Sequence, residues 1–252
     1  EGGMWVDSLK HHCFYDVDGM LSFSTRQHSW RNDQPDTNTN YYNFNSSYSY
    51  DDDGRLLHRI EYNWRTKYDF YFTVRTICSY NTGGDLVDSV EQFWNDQIGQ
   101  WGNDGQSKCS YLYDGSGNQT EFLFQRSQWD EPSPYWKWVN SWRITSVYDG
   151  SNNRSEYTEQ WWDEGMSVWS DGSRVTCEYD GHGNLIDSTT YGWEGDQWIT
   201  YMKYTYAYDQ NDNQIGELHQ YEDEGQWINT WKFTYDYDAQ GNQTLYWEQY
   251  WD

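Results

Sequence analysis

The sequence predicts an all-β protein of about eight tandem β-hairpin repeats, and therefore about sixteen strands, in an elongated antiparallel meander or a solenoid-like array. Three observations support this prediction. A turn motif recurs along the whole chain, the segments between turns alternate aromatic and polar residues, and no segment has the 3.6-residue period of a helix. A period of about 30 residues is typical of one supersecondary unit that buries its apolar face only against its neighbours.

The turn motif is a tyrosine followed by a short cluster rich in Asp, Gly and Asn, as in YDGHGN at residues 179–184. Gly and Asn tolerate the positive φ of tight turns, and Asp bonds to nearby backbone amides, so each copy predicts a hairpin turn. One copy, residues 80–84, is degenerate. The tyrosines of these motifs, the repeat tyrosines, lie 29 to 35 residues apart and divide a single array over residues 1–252: Tyr15, Tyr50, Tyr80, Tyr113, Tyr148, Tyr179, Tyr208 and Tyr237.

The segment before each repeat tyrosine reads as the first strand of a hairpin, because its aromatic residues recur at every second position. In the last unit, one face of this strand is predicted to carry five aromatic residues, interrupted by Asn229: Trp227, Trp231, Phe233, Tyr235 and Tyr237. A second strand follows the turn, and an acidic loop with a glycine leads to the next unit. Either one continuous meander or two stacked sheets fits this order. The hairpin-like turns favour the meander.

The amino-acid composition limits the kinds of molecule that this protein is expected to bind. Sixteen basic and 41 acidic residues give a net charge of −25, which repels nucleic acid and anionic lipid, so we expect neither as a partner. No stretch approaches the roughly 20 apolar residues that span a bilayer, so we expect no membrane insertion. The 18 Trp, 25 Tyr and 9 Phe argue against disorder and predict a core of aromatic rings.

The two ends of the chain read as halves of one loop. Residues 251–252 followed by 1–4 (WD, then EGGM) resemble residues 162–166 (WDEGM). We therefore expect identical subunits to join head to tail by edge-strand pairing, since an unpaired edge is a template for another strand. The predicted interface residues are Glu1, Gly2, Gly3, Met4, Trp5, Trp247, Tyr250, Trp251 and Asp252. The alternative is that any tandem array must begin and end at some loop, as a monomer or a piece of a longer protein.

The four cysteines fall on the aromatic faces of first strands, without the spacing of a metal site. Cys78 and Cys109 lie in consecutive units and could form a disulfide if their strands are neighbours, but not if a second strand intervenes. The alternative is that each is a small buried apolar residue. Acidic turns such as residues 51–54 (DDDG) permit weak, non-specific calcium binding but lack the bidentate Glu of a specific calcium loop. We expect no cofactor.

No catalytic motif is present, so the sequence favours a protein that is not an enzyme. Its aromatic residues exceed what one sheet face needs. Exposed rings could stack against sugars, which makes a carbohydrate-binding or adhesive module the main alternative function.

The turn motif, with a Trp-rich strand after an acidic Gly loop, resembles tandem repeats of secreted and surface proteins of Bacteroidota, and distantly the tyrosine–aspartate repeats of Rhs-type shells. This resemblance implies an extracellular or cell-surface location, which agrees with a chain that starts at Glu1 without Met. It also implies O-glycosylation at Asp-Ser pairs followed by an apolar residue or Thr: Ser8, Ser89 and Ser188. The sequence therefore predicts a structural subunit of an extracellular filament or surface layer.

Overall fold

The strands of this protein follow the turn motifs in order. The computed structural model describes residues 9–30, 40–65, 70–95, 99–102, 106–130 and 135–251, and these contain 17 strands and no helix. The strands are β1 (Leu9–Tyr15), β2 (Leu21–Trp30), β3 (Asn40–Tyr50), β4 (Leu56–Arg65), β5 (Phe70–Tyr80), β6 (Leu86–Asn95), β7 (Gln100–Gly102), β8 (Ser107–Tyr113), β9 (Gln119–Asp130), β10 (Tyr135–Tyr148), β11 (Arg154–Asp163), β12 (Val168–Tyr179), β13 (Leu185–Glu194), β14 (Gln197–Tyr208), β15 (Gln214–Asp223), β16 (Gln226–Tyr237) and β17 (Gln243–Tyr250).

All 17 strands belong to one antiparallel sheet, so the all-β prediction and its hairpin meander are confirmed. The additional strand is the short β7, which pairs with the end of β6 while β8 pairs with the earlier part of that strand. By internal packing the chain divides into two compact units. The N-terminal unit comprises Glu1–Tyr111 with Phe124–Asn140, and the C-terminal unit comprises Leu112–Leu123 with Ser141–Asp252.

Each turn is built around the residue that follows the repeat tyrosine, which is Asn81 in the degenerate copy and an aspartate in the others. Asp180 Oδ1 accepts the backbone N–H of His182 at 2.8 Å and that of Asn184 at 3.0 Å, while Oδ2 accepts Asn184 Nδ2 at 3.1 Å. Gly183 takes a φ of 90°, in the left-handed region that the turn requires. A β-bulge beside the repeat tyrosine adjusts the register of the hairpin.

A second bulge, near the acidic loop, changes which side chains lie on each face of the first strand. In the β15–β16 ladder, Gln220 faces Asn229 but His219 faces Trp231, so one residue of β16 is left unpaired. Skipping one residue moves the following side chains to the opposite face. Trp227 therefore lies on the face opposite Trp231, and the prediction that both share one aromatic face is wrong.

The sheet buries few side chains completely. Among the described residues, Val74 and Val175 are the buried hydrophobic ones, each 7% exposed, and most aromatic rings are half-buried. Among the described residues, several large aromatic side chains are exposed, including Trp138, Trp161 and Trp247. None of the described residues belongs to a helix long and apolar enough to cross a bilayer.

Candidate assembly interface

The repeat tyrosines tie consecutive hairpins together at the turn end of the sheet. In six of these tyrosines, the hydroxyl donates to the backbone carbonyl of the residue that lies six positions after the preceding repeat tyrosine. We call this bond the tyrosine tie. Six ties are described: Tyr50 to Leu21 at 2.9 Å, Tyr80 to Leu56 at 3.0 Å, Tyr148 to Gln119 at 3.0 Å, Tyr179 to Arg154 at 3.1 Å, Tyr208 to Leu185 at 3.0 Å and Tyr237 to Gln214 at 3.0 Å. The tie explains why a tyrosine precedes each turn.

Removal of one tie should have a measurable effect on stability. We expect Tyr208→Phe to lower the free energy of unfolding by about 1 kcal/mol, the net value of a typical hydrogen bond. Tyr15→Phe is the matched control, because no described residue accepts from the Tyr15 hydroxyl and the ring is 63% exposed. Chemical denaturation of the dispersed chain measures both, and equal losses would contradict the tie.

At the loop end, consecutive strands are joined by pairs of tryptophans that meet edge to face. The ring centroids lie 5.0 to 5.4 Å apart and the ring planes are 67° to 74° apart, a preferred geometry for aromatic pairs. The four pairs are Trp94–Trp101, Trp129–Trp136, Trp162–Trp169 and Trp193–Trp198.

One of these tryptophans, Trp169, sits in a group that we call the Trp169 socket, formed by Arg143, Gln160 and Trp162. The Arg143 guanidinium lies 4.5 Å from the Trp169 ring centroid, within cation–π distance. Arg143 Nε donates to Gln160 Oε1 at 2.7 Å, and Gln160 Nε2 donates to Asp171 Oδ1 at 2.6 Å. The socket thus contacts the indole of Trp169 and the carboxylate of Asp171, which lie two residues apart on β12, the first strand of the next hairpin.

The N-terminal unit contains a second socket of the same residue types, which we call the Trp101 socket. Arg75 lies 4.5 Å from the Trp101 ring centroid, and its Nε donates to Gln92 Oε1 at 3.2 Å. Trp94 completes the group through its edge-to-face contact with Trp101. In both units, therefore, a group of one Arg, one Gln and one Trp contacts a tryptophan of the following strand.

The last strand of the array has an open edge. Within the described residues, β17 pairs with β16 alone, and all eight of its residues are exposed. Three of the predicted interface residues lie here: Trp247 is 56% exposed, Tyr250 is 70% exposed and Trp251 is 66% exposed. The carbonyl of Gln243, six positions after Tyr237, is where the next tyrosine tie would form, and no described repeat tyrosine reaches it.

The remaining predicted interface residues, Glu1, Gly2, Gly3, Met4, Trp5 and Asp252, lie outside the described residues, as does the glycosylation candidate Ser8. The two other candidates, Ser89 and Ser188, lie on described strands. Ser188 is 9% exposed and lies between Cys177 and Tyr204 in the register. Ser89 is half-buried. Because Ser188 is nearly buried, its hydroxyl is poorly accessible in the folded chain.

A disulfide between Cys78 and Cys109 is incompatible with the register. Ser89 on β6 faces Cys78 on one side and Cys109 on the other, so a second strand separates the cysteines. Two strand spacings amount to roughly 9.5 Å, which exceeds the reach of about 7 Å between Cα atoms. Both residues are free thiols, and burial raises the pKa of each. They serve as small, half-buried apolar residues.

The acidic turns use their carboxylates internally. Asp51 Oδ2 lies 2.7 Å from Arg55 Nε, and Asp53 also forms an ion pair with this arginine at 2.8 Å. In the described part of the chain, no three His, Cys, Asp or Glu side chains are grouped so as to hold a metal ion.

The fold and its open edge define a tandem β-hairpin repeat protein. No protein-family model matches the chain, and no curated protein does. Among solved structures, it is similar to a protein of unknown function from Bacteroides fragilis (16% identity, covering 52% of this chain and 94% of that one, TM-score 0.41). It is also similar to a DUF3836 family protein from Bacteroides vulgatus (16%, 36% and 89%, TM-score 0.29) and a porin-like protein from Bacteroides uniformis (12%, 82% and 91%, TM-score 0.33). TM-scores this low carry no argument about function.

Proposed function

We propose that this protein is a structural subunit of an extracellular filament or surface layer, in which β17 of one copy pairs with β1 of the next. The observation that supports this proposal is the pair of unused tie positions at the two ends of the array. Tyr15 has a donor hydroxyl and no described acceptor, while Gln243 has the acceptor carbonyl and no described tyrosine. A tyrosine tie from Tyr15 of one copy to the Gln243 carbonyl of another would make the contact between copies equivalent to the contact between consecutive hairpins.

The two edge strands also differ in charge. In a chain with a net charge of −25, β1 contains Lys10, His11 and His12 and no acidic residue, whereas β17 contains Glu248 and no basic residue. Complementary charges favour the pairing of unlike edges over the pairing of two identical edges. A contact between two different surfaces of the same chain propagates into a filament when its rotation does not close a ring.

The internal ladders give the register of the proposed contact. In β11–β12, β13–β14 and β15–β16, the residue ten positions after one repeat tyrosine faces the residue five positions before the next. Applied to the two ends, this rule places Trp247 of one copy opposite Lys10 of the following copy. Tyr246 then faces His11, and Leu245 faces His12.

Charge substitutions at Trp247 test this register. Because Trp247 is exposed on the open edge, its substitution should leave the monomer folded. We expect Trp247→Lys to raise the concentration needed for assembly at least tenfold, since it places two lysines opposite each other. Trp247→Glu, which would pair with Lys10, should assemble more readily than Trp247→Lys. Sedimentation velocity and electron microscopy measure both, and equal assembly of the two variants would contradict the register.

A carbohydrate-binding module is the second candidate, favoured by exposed rings away from the open edge. Trp138 is 37% exposed and Trp161 is 50% exposed. A native chain that stays dispersed at micromolar concentration and is retained by a glycan, in a manner that depends on Trp161, would support this role and contradict the filament.

A further inference from the structure

A cavity of about 530 Å³ lies beside the open edge of the C-terminal unit. Small residues, including Ala207 and Gly216, line one part of it, and Lys232, Gln249 and Trp251 line another. Lys232 and Gln249 face each other across the β16–β17 ladder. A dry cavity of about 150 Å³ accommodates benzene, so this space is ample for an indole ring.

Lys232, Gln249 and Trp251 occupy the same repeat positions as the residues that form the two internal sockets. In each group, a basic residue lies five positions before a repeat tyrosine, a Gln lies twelve after it, and a Trp lies fourteen after it. The three groups are Arg75, Gln92 and Trp94; Arg143, Gln160 and Trp162; and Lys232, Gln249 and Trp251. The first two receive a tryptophan from the following strand. In the third, no described residue fills this role, because no described strand pairs with the outer edge of β17.

We propose that the cavity at Lys232, Gln249 and Trp251 is a socket for a strand that carries Trp-x-Asp, supplied by a second copy of this chain. This inference rests on the proposed function and names the part of the partner that is recognised. The indole would lie against the Lys232 ammonium and the Trp251 ring, as Trp169 lies against Arg143 and Trp162. The Gln249 amide would donate to the carboxylate, as Gln160 donates to Asp171.

The chain itself contains a matching segment. Trp5 and Asp7 precede Tyr15 by ten and eight residues, the same spacings by which Trp169 and Asp171 precede Tyr179. Because Trp5 and Asp7 lie outside the described residues, this match is one of sequence position alone. It makes residues 4–15 (MWVDSLKHHCFY) the segment that the socket is expected to bind.

The test uses a fluorescently labelled synthetic peptide of residues 4–15 and the full chain, held below the concentration at which it assembles. Fluorescence anisotropy measures the dissociation constant. We expect Lys232→Ala and Trp251→Ala in the chain, and Trp5→Ala in the peptide, each to weaken binding about tenfold or more. Lys232→Arg should retain binding, because arginine occupies this position in both internal sockets. Lys203→Ala, which removes another lysine of the C-terminal unit that pairs with Asp187, is the matched control and should bind as the native chain does.

The outcomes separate this inference from the filament. If the peptide does not bind, or binds equally well to the Lys232→Ala and Trp251→Ala chains that circular dichroism shows to be folded, the socket is wrong, even when filaments form. If binding depends on the socket but no filament appears at any concentration, the socket stands and the filament proposal fails.

Discussion

Substitution of Val175 by Asn should lower the free energy of unfolding of the C-terminal unit by about 2–3 kcal/mol, the cost of leaving a buried polar group without partners. Val175 is 7% exposed and lies between Tyr157 and Thr190 in the register. Its neighbour Tyr157 is sufficiently buried that its pKa is raised. In a sheet with so few buried side chains, this valine is one of the few positions where a polar group loses contact with water.

Val168→Asn is the matched control. Val168 lies at the start of the same strand and is 46% exposed, so its replacement should change stability by no more than about 0.5 kcal/mol. Urea denaturation followed by tryptophan fluorescence measures both variants. Similar destabilisation at the two sites would show that the half-buried aromatic rings, rather than Val175, hold the C-terminal unit together.

The hairpins could be predicted from the sequence because their causes are local. The Asp, Gly and Asn of each turn act within six residues, and the period-two aromatic pattern fixes a strand. The choice between a meander and two stacked sheets is different, because both have the same local pattern. It depends on which strand pairs with which across about 30 residues. The bulge at the loop end had one signal, the interruption of the aromatic stripe at Asn229, which an alternation pattern alone reads as a single polar substitution.

Three of the predicted interface residues lie among the described residues. Trp247, Tyr250 and Trp251 are exposed because no other described strand pairs with the outer edge of β17. The tyrosine tie was missed, because its acceptor is a backbone carbonyl that lies 23 to 29 residues away and no side chain marks it. The sockets were missed too. Their signal was the recurrence of Gln and Trp at fixed positions after a repeat tyrosine, which gains meaning only once the register brings them beside Trp169.

The cysteines and serines also separate what the local sequence determines from what depends on strand pairing. The sequence correctly placed Cys78 and Cys109 on equivalent first strands, yet it left open whether those strands touch. The intervening Ser89 answers this and excludes the disulfide. The burial of Ser188 likewise depends on its neighbours Cys177 and Tyr204, which a three-residue glycosylation pattern does not include.

Acid should destabilise this protein through its turns, and the effect is repeated in six of them. Hydrogen bonds from the turn backbone and from Asn or Arg side chains hold the pKa of each leading aspartate below its ordinary value: Asp51, Asp114, Asp149, Asp180, Asp209 and Asp238. A carboxylate whose pKa is lower in the folded state stabilises the fold above the unfolded pKa, near 3.9, and loses this contribution as the pH falls through the folded value. The contribution of these six aspartates to the melting temperature should therefore be nearly constant from pH 7 to about 5 and should be lost steeply below about pH 4.

Asp209→Asn isolates one turn. Asp209 accepts the side chain of Asn213 at 2.9 Å and the backbone amides of Asn211 at 2.8 Å and Asn213 at 3.0 Å. An uncharged amide at this position meets the Asn213 amide donor to donor, so the variant should melt below the native chain at pH 7. The difference should shrink as the pH approaches 3, since the native carboxylate is then being protonated as well.

Both chains carry Trp247→Lys in this experiment, so that assembly does not alter the melting temperature. Asp196→Asn, which removes one carboxylate of an acidic loop outside the turn motifs, is the control and should melt close to its parent at pH 7. A difference between the Asp209 variant and its parent that stays the same at pH 7 and pH 3 would mean that the charge of the turn aspartate contributes nothing. The turns would then depend on glycine and asparagine geometry alone.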